Sequence, residues 1–254
     1  MIISKMANLL KSKIKNNFLK LKDFVLDALF PWHCVFCLKE NENLICSDCL
    51  KMIPIFSDFY CPSCQKLLTS FKHRCSRKTN LSALGAVSYY ENPILRKAIH
   101  TFKYQKIIKL KEVLTDLMIQ FLKHSNFFSE LLKEKDKIII LSVPLHKSKE
   151  RKRGFNQADL LAQEISKYFE INYQKDALLR KKNNPSQTSL KDKNKREKNV
   201  RKIFKINPKK RKLLKNKIIL LVDDVYTTGA TMEEVSKLLK KVKVKKVIGL
   251  VIAR

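Results

Sequence analysis

Residues 217–234 read KIILLVDDVYTTGATMEE, and no other stretch of the chain constrains the fold as tightly. Residues 218–222 are five aliphatic side chains with no polar break. That length and composition predict a central parallel strand buried on both faces. Asp223 and Asp224 end the strand with two adjacent carboxylates, and Thr227, Thr228, Gly229, Ala230 and Thr231 follow as a small, hydroxyl-rich turn. Thr231 with Glu234 three residues later is a capping-box pattern, which predicts a helix start there.

This order of features suits a sugar phosphate. The first N–H groups of a helix lack intrahelical partners, and the helix dipole favours an anion at that end. Gly229 lets the backbone approach a phosphate closely, and the threonine hydroxyls add donors. Ionised Asp223 and Asp224 only accept hydrogen bonds, which matches the two hydroxyls of a ribose ring. The plainer alternative is a strand-to-helix turn in which Asp and Thr serve as caps. The paired acids after an unbroken strand favour the phosphate reading.

Seven cysteines all fall within residues 31–80. Cys34, Cys37, Cys46 and Cys49 form two CxxC pairs separated by eight residues, a spacing that brings four thiolates to one tetrahedral zinc. A second group follows: Cys61, Cys64, His73 and Cys75. His73 repeats the spacing of Cys46 after Cys37, but Cys75 falls one residue short of the matching fourth position. Two readings stay open, a Cys3His zinc site and a degenerate one with His73 exposed. Either way, so small a segment cannot bury a core of its own, so metal supplies much of its folding energy.

Charge narrows the partners. With 54 Lys/Arg against 23 Asp/Glu, the formal charge is +31, which favours polyanions and nucleic acid above all. Lys-, Ile- and Asn-rich usage is also what compositional drift of a whole genome would produce, yet drift alone would leave acids in step with bases. Residues 5–30 predict a basic amphipathic helix, with Leu10, Ile14, Phe18, Leu21, Val25 and Leu29 along one stripe. It would dock on this protein, on a partner or on a membrane surface. No apolar run approaches a membrane span, and no signal peptide is expected, so the cytoplasm is the expected compartment and its thiols reduced.

The remaining sequence reads as a longer α/β domain over residues 81–254. An edge strand is expected at 86–90, helices at 93–102 and 107–122, a buried strand at 138–143, a helix at 159–169 and strands at 201–206 and 242–252. Between them, residues 146–157 read HKSKERKRGFNQ, a cationic loop following a strand, where Arg151, Lys152 and Arg153 would meet an anion. Residues 181–217 hold 16 Lys/Arg against Asp192 and Glu197. A continuous cationic track through Lys195, Arg196, Arg201 and Lys202 would bind single-stranded DNA, with Phe155 or Tyr226 stacking on a base.

Residues 223–231, DDVYTTGAT, closely resemble the phosphoribosyl-diphosphate (PRPP) motif of type I phosphoribosyltransferases, with no departing position. The likeness extends over most of the chain. Leu29-Phe30-Pro31 before Cys34, the CPxC knuckle at Cys61, IHTFKY at 99–104, VPLH at 143–146, RGFNQ at 153–157 and Asn184-Pro185 with Gln187 resemble the ComF/GntX family. The departure is the second knuckle, where the family supplies a further CxxC. The resemblance implies an α/β fold of type I phosphoribosyltransferase kind, a parallel sheet flanked by helices with a small hood. A double zinc ribbon would precede it at 31–80, after the helix of residues 1–30. It implies handling of single-stranded DNA in natural transformation, beside a DNA translocase or helicase and recombination loaders. Any membrane association would come through those partners. It also implies binding of PRPP or ribose-5-phosphate. A transferase would use Asp223 and Asp224 on the ribose, the Thr227–Thr231 turn on the 5′-phosphate and Mg²⁺ on the diphosphate. No residue set names an acceptor base, so a DNA-binding module and an active transferase both stand.

Overall fold

The computed structural model describes residues 32–70, 73, 75–76, 79–181 and 203–254. The amphipathic helix expected at 5–30 and the cations Lys195, Arg196, Arg201 and Lys202 lie outside the described residues. The chain divides into two compact units, Met1–Leu50 and Lys51–Arg254.

In the first unit, residues 32–50 form a knuckle and a short helix, α1 (Ser47–Lys51). Leu44 and Ile45 are its buried aliphatic residues, beside Cys34, Cys46 and Cys49.

The second unit is built on a sheet. Among its described residues the strands are β1 (Phe59–Tyr60), β2 (Leu67–Leu68), β3 (Ala83–Ser88), β4 (Ile138–Ser142), β7 (Ile218–Val222) and β8 (Lys246–Ala253), in the order β2-β1-β3-β8-β7-β4. β3, β8, β7 and β4 run parallel, while β1 and β2 pair antiparallel at one end. β7 is buried at all five positions, as its unbroken aliphatic run predicts. Ile219 and Leu221 join a cluster with Met232, Val235 and Leu239 of α8 (Ala230–Lys240). The opposite face meets α3 (Leu110–His124) and α6 (Gln157–Phe169). Helices α2 (Pro93–Tyr104), capped by Asn92, and α4 (Asn126–Leu132), capped by Ser125, complete that layer.

β3 differs from expectation. It starts three residues earlier, every position is buried, and it lies inside the sheet. The reason is Tyr60, which pairs with Leu84 and so covers what would otherwise be an edge. Gly85 allows this close packing, since a Cβ there would come within 2.6 Å of the Phe59 ring. β8 begins at Lys246 because Lys243 takes a left-handed conformation in the preceding turn.

The basic stretch after β4 is a helix, α5 (Lys147–Arg153), where a loop was expected. The His146 side chain accepts from the Ser148 N–H at its start, and Gly154 closes it at φ 89°. A separate antiparallel ribbon, β5 (Leu178–Arg180) with β6 (Phe204–Ile206), forms the hood and packs on α8. Ahead of β7 comes a short helix, α7 (Arg211–Leu214). Among the described residues no helix is long and apolar enough to cross a membrane.

Candidate functional site

The acidic pair sits where β7 ends. Main-chain bonds from β8 hold it: Asp223 N–H donates to Leu250 O at 3.0 Å, and Ile252 N–H to Asp224 O at 3.0 Å. Tyr226 N–H donates to Ala253 O at 2.8 Å, so the strand register continues into the turn. Asp223 is half-buried, and desolvation followed by the Asp224 charge pushes its carboxyl up to about 7. Asp224 instead forms an ion pair with Lys103 of α2, Nζ to Oδ1 2.7 Å.

Thr227 is exposed and Thr228, Gly229, Ala230 and Thr231 are half-buried. The helix start differs from the expected capping box. α8 begins at Ala230, and its N-cap is Gly229 at φ 77° with no side-chain cap. Gly229 is required twice, for that conformation and because a Cβ there would overlap the Tyr226 hydroxyl. Glu233 serves the fold: it accepts from the Asn80 N–H at 2.9 Å and from the Thr79 hydroxyl at 3.2 Å, on the segment entering β3.

Cations stand beside the acids, Lys103 on Asp224 and Arg180 within electrostatic reach of Asp223, and further cations adjoin Arg180. Lys149 of α5 is lowered from its ordinary value by burial first, then by Arg180 and Arg153. Arg180 of β5 is likewise lowered by burial and supported by Asp223. Cations drawn this close together and partly removed from water favour an anion beside them. Of the predicted cations, Arg151 and Lys152 are exposed on the outside of α5. Arg153 turns inward and donates from Nη1 to Gln157 Oε1 at 2.9 Å. Lys103 and Arg180 were not expected at the site. Single cations in an amphipathic helix and a three-residue strand carry no sequence signal until the fold brings them beside the acids. Phe155 is buried against Phe102, ring centroids 5.4 Å apart, so it cannot stack on a ligand.

Arg180 also lines a cleft of about 440 Å³ between α5 and the hood, with Ser142, Glu150, Asp159 and Lys205. Its floor is a polar network in which Asp159 accepts from Ser142 Oγ and from the Tyr173 hydroxyl at 2.8 Å. The acidic pair does not line this cleft.

Both cysteine groups converge. Within Cys34, Cys37, Cys46 and Cys49, and within Cys61, Cys64, His73 and Cys75, all ligand atoms lie within 4.8 Å of one another. Zinc–sulfur bonds of about 2.3 Å in a tetrahedron place sulfurs about 3.8 Å apart. Cys37 Sγ and Cys46 Sγ are 3.6 Å apart, and Cys64 Sγ lies 3.4 Å from His73 Nε2. All seven thiols are unbridged. Burial raises Cys34, but N–H groups of Cys46, Cys37 and Phe36 outweigh it and bring that thiol to about 6. Cys49 is pushed up to about 12 by burial and neighbouring thiols. Cys34 and Cys49 are thus driven in opposite directions, and a bound dication would favour the thiolate form of both. The donor set and spacing fit zinc at both knuckles, with His73 brought into the second.

A double zinc ribbon domain model matches residues 25–78, and a phosphoribosyl transferase domain model matches residues 152–254. Competence protein F of Haemophilus influenzae is 30% identical over 225 residues, covering 86% of this chain and 95% of its own. DNA utilization protein YhgH of Escherichia coli (strain K12) is 28% identical, covering 82% and 89%. Competence protein ComFC of Streptococcus pneumoniae is 28% identical, covering 85% and 90%. The order of zinc knuckles, parallel sheet and acidic Thr/Gly turn, with likeness spanning nearly the full length of these proteins, shows that the chain belongs to the ComF family of competence proteins.

Proposed function

We propose that this protein handles single-stranded DNA during natural transformation and carries a pocket for PRPP or ribose-5-phosphate. The observation that carries this reading is Lys103, 2.7 Å from Asp224, with Arg180 within electrostatic reach of Asp223 and Lys149 and Arg153 next in line beyond Arg180. Lys149, partly removed from water and crowded by Arg180 and Arg153, favours a bound phosphate. The adjacent acids suit ribose hydroxyls, and the diphosphate of PRPP would bring Mg²⁺. The relatives named as competence and DNA utilization proteins support the biological role. A DNA translocase or helicase and recombination loaders would be its partners, in the cytoplasm.

Calorimetry with PRPP–Mg²⁺ and with a short oligonucleotide tests both parts. Each phosphate neutralised on a single strand contributes a slope of roughly −0.7 in log affinity against log salt. Replacing Arg151, Lys152 and Arg153 together with Ala flattens the slope by about two units if all three touch phosphates. An unchanged slope removes α5 from the DNA site, and no PRPP binding at millimolar ligand removes the pocket.

The second reading, an active phosphoribosyltransferase, is favoured by one feature, the cleft that shares Arg180 with the acidic pair. An acceptor held there would attack the ribose carbon as diphosphate leaves, with catalysis resting on positioning and charge stabilisation. Release of diphosphate that depends on an added base, and its loss in Asp223→Asn/Asp224→Asn, would establish it.

A further inference from the structure

We propose that Tyr104, contacted by His100 and by Arg153, is a stacking platform for a nucleobase of bound single-stranded DNA; the inference rests on the DNA-handling reading above. Tyr104 is the last residue of α2 and is 51% exposed. Exposure alone would mean little. What distinguishes this ring is that it is restrained from two elements without being covered. His100, one turn earlier, lies with its ring centroid 4.7 Å away at 45°. The Arg153 guanidinium carbon comes from α5 to 5.2 Å from the Tyr104 ring centroid. Arg153 is itself aimed by Gln157, which is 1% exposed and accepts from it at 2.9 Å. A ring that is already oriented loses little freedom when a base lands on it.

The position also fits. The preceding residue, Lys103, bonds Asp224 at 2.7 Å, which sets the end of α2 beside the acidic pair. Arg153 on the other side is within electrostatic reach of Lys149, which in turn feels Arg180. A phosphate backbone following those cations carries its bases past Tyr104. The other two aromatic candidates are occupied: Phe155 is buried, and the Tyr226 hydroxyl is pressed against Gly229. Every base has a π-face, and an Arg plane and an aromatic ring both accept one, so such a platform binds without sequence preference.

The test compares a thymidine oligonucleotide with an abasic strand of equal length, by fluorescence anisotropy over a range of salt. Wild-type protein should bind the thymidine strand more tightly than the abasic one. Tyr104→Ala should lose about tenfold in affinity for the thymidine strand only, with the salt slope unchanged, because stacking is a base term and not a phosphate term. Tyr104→Phe should bind as wild type, and the melting midpoint of both variants should stay put. Equal losses on both strands would make Tyr104 a support for Arg153 on phosphate and overturn the platform. A Phe variant as weak as the Ala variant, or an Ala variant as tight as wild type, would also overturn it. Equal wild-type binding to both strands removes the platform and leaves DNA handling standing. Binding to neither strand removes both.

Discussion

At Cys34 the backbone N–H bonds to Lys39 O at 2.9 Å, and the Leu38 N–H returns to Cys34 O at 3.0 Å. At Cys61 the same two bonds run to Lys66 O at 2.8 Å and from the Gln65 N–H at 2.9 Å. Leu38 and Gln65 take matching left-handed conformations, φ 62° and 61°. From this shared turn the two knuckles diverge. The first carries its fourth ligand, Cys49, on α1 and buries Leu44 and Ile45. The second is flanked by β1 and β2, which belong to the main sheet. Phe59 stacks on Phe127 with centroids 4.7 Å apart, and buried Asp58 accepts from the Phe127 N–H at 3.2 Å, at the start of α4. Arg254 reaches the same hairpin, 4.0 Å above the Tyr60 ring and 3.0 Å from Gln65 Oε1. One metal turn thus serves two purposes. In the first it replaces a core, and in the second it finishes the edge of an existing one.

The largest expected effect separates the two directly. Cys61→Ser should lower the stability of residues 51–254 by roughly 2–4 kcal/mol, since it loosens a hairpin packed into their core. Cys34→Ser should leave the melting of that unit within about 0.5 kcal/mol while residues 32–50 lose all hydrogen-exchange protection. Exchange mapped by segment, with a thermal melt, reads both; equal global losses would erase the distinction. Next in size, Gly85→Ala forces a methyl group into the Phe59 and Phe121 rings and should cost about 1–3 kcal/mol. Its signature is loss of protection across β1 and β3 with residues 32–50 untouched.

The smallest effect tests whether ligand binding is confined to the second unit. Burial, then the Asp224 charge, pushes the Asp223 carboxyl up to about 7, above its unfolded value of roughly 3.9. The stability it contributes in protonated form is fully present below the unfolded value and is lost as pH rises through about 7. Ribose hydroxyls donate to the ionised form, so PRPP–Mg²⁺ should bind several-fold tighter at pH 8 than at pH 6. The ligand's own phosphate also ionises near pH 6, so the informative quantity is the difference from Asp223→Asn, whose profile should be flatter. PRPP should raise exchange protection around β7 and α8 and leave the first knuckle unchanged.

The residues explain what could be read in advance. Residues 218–222 declared a buried strand because five aliphatic side chains in a row have few other uses. The cysteine pairs were legible because metal geometry restricts spacing. β1 was hidden: Phe59 and Tyr60 are two residues among cysteines, with no period to detect, and their place in the sheet comes from long-range pairing with Leu84. That same pairing turned an expected edge strand into an interior one. α5 was hidden because KSKERKR has no apolar stripe; a cap at His146 and a left-handed Gly154 hold it. Gly154 was the available clue, being one of only four glycines in the chain.

The insertion of Phe59 between Gly85 and Phe127 determines where this polypeptide can be divided. Composition changes just after the last cysteine, which invites a truncation there. Such a cut would strip β1 from β3, bare a hydrogen-bonding edge and open a slot lined by Phe121 and Phe127. A cut near Lys51 keeps that slot filled. Swapping knuckles between relatives should obey the same boundary: the first can be exchanged as a cassette, and the second travels only with the sheet it completes.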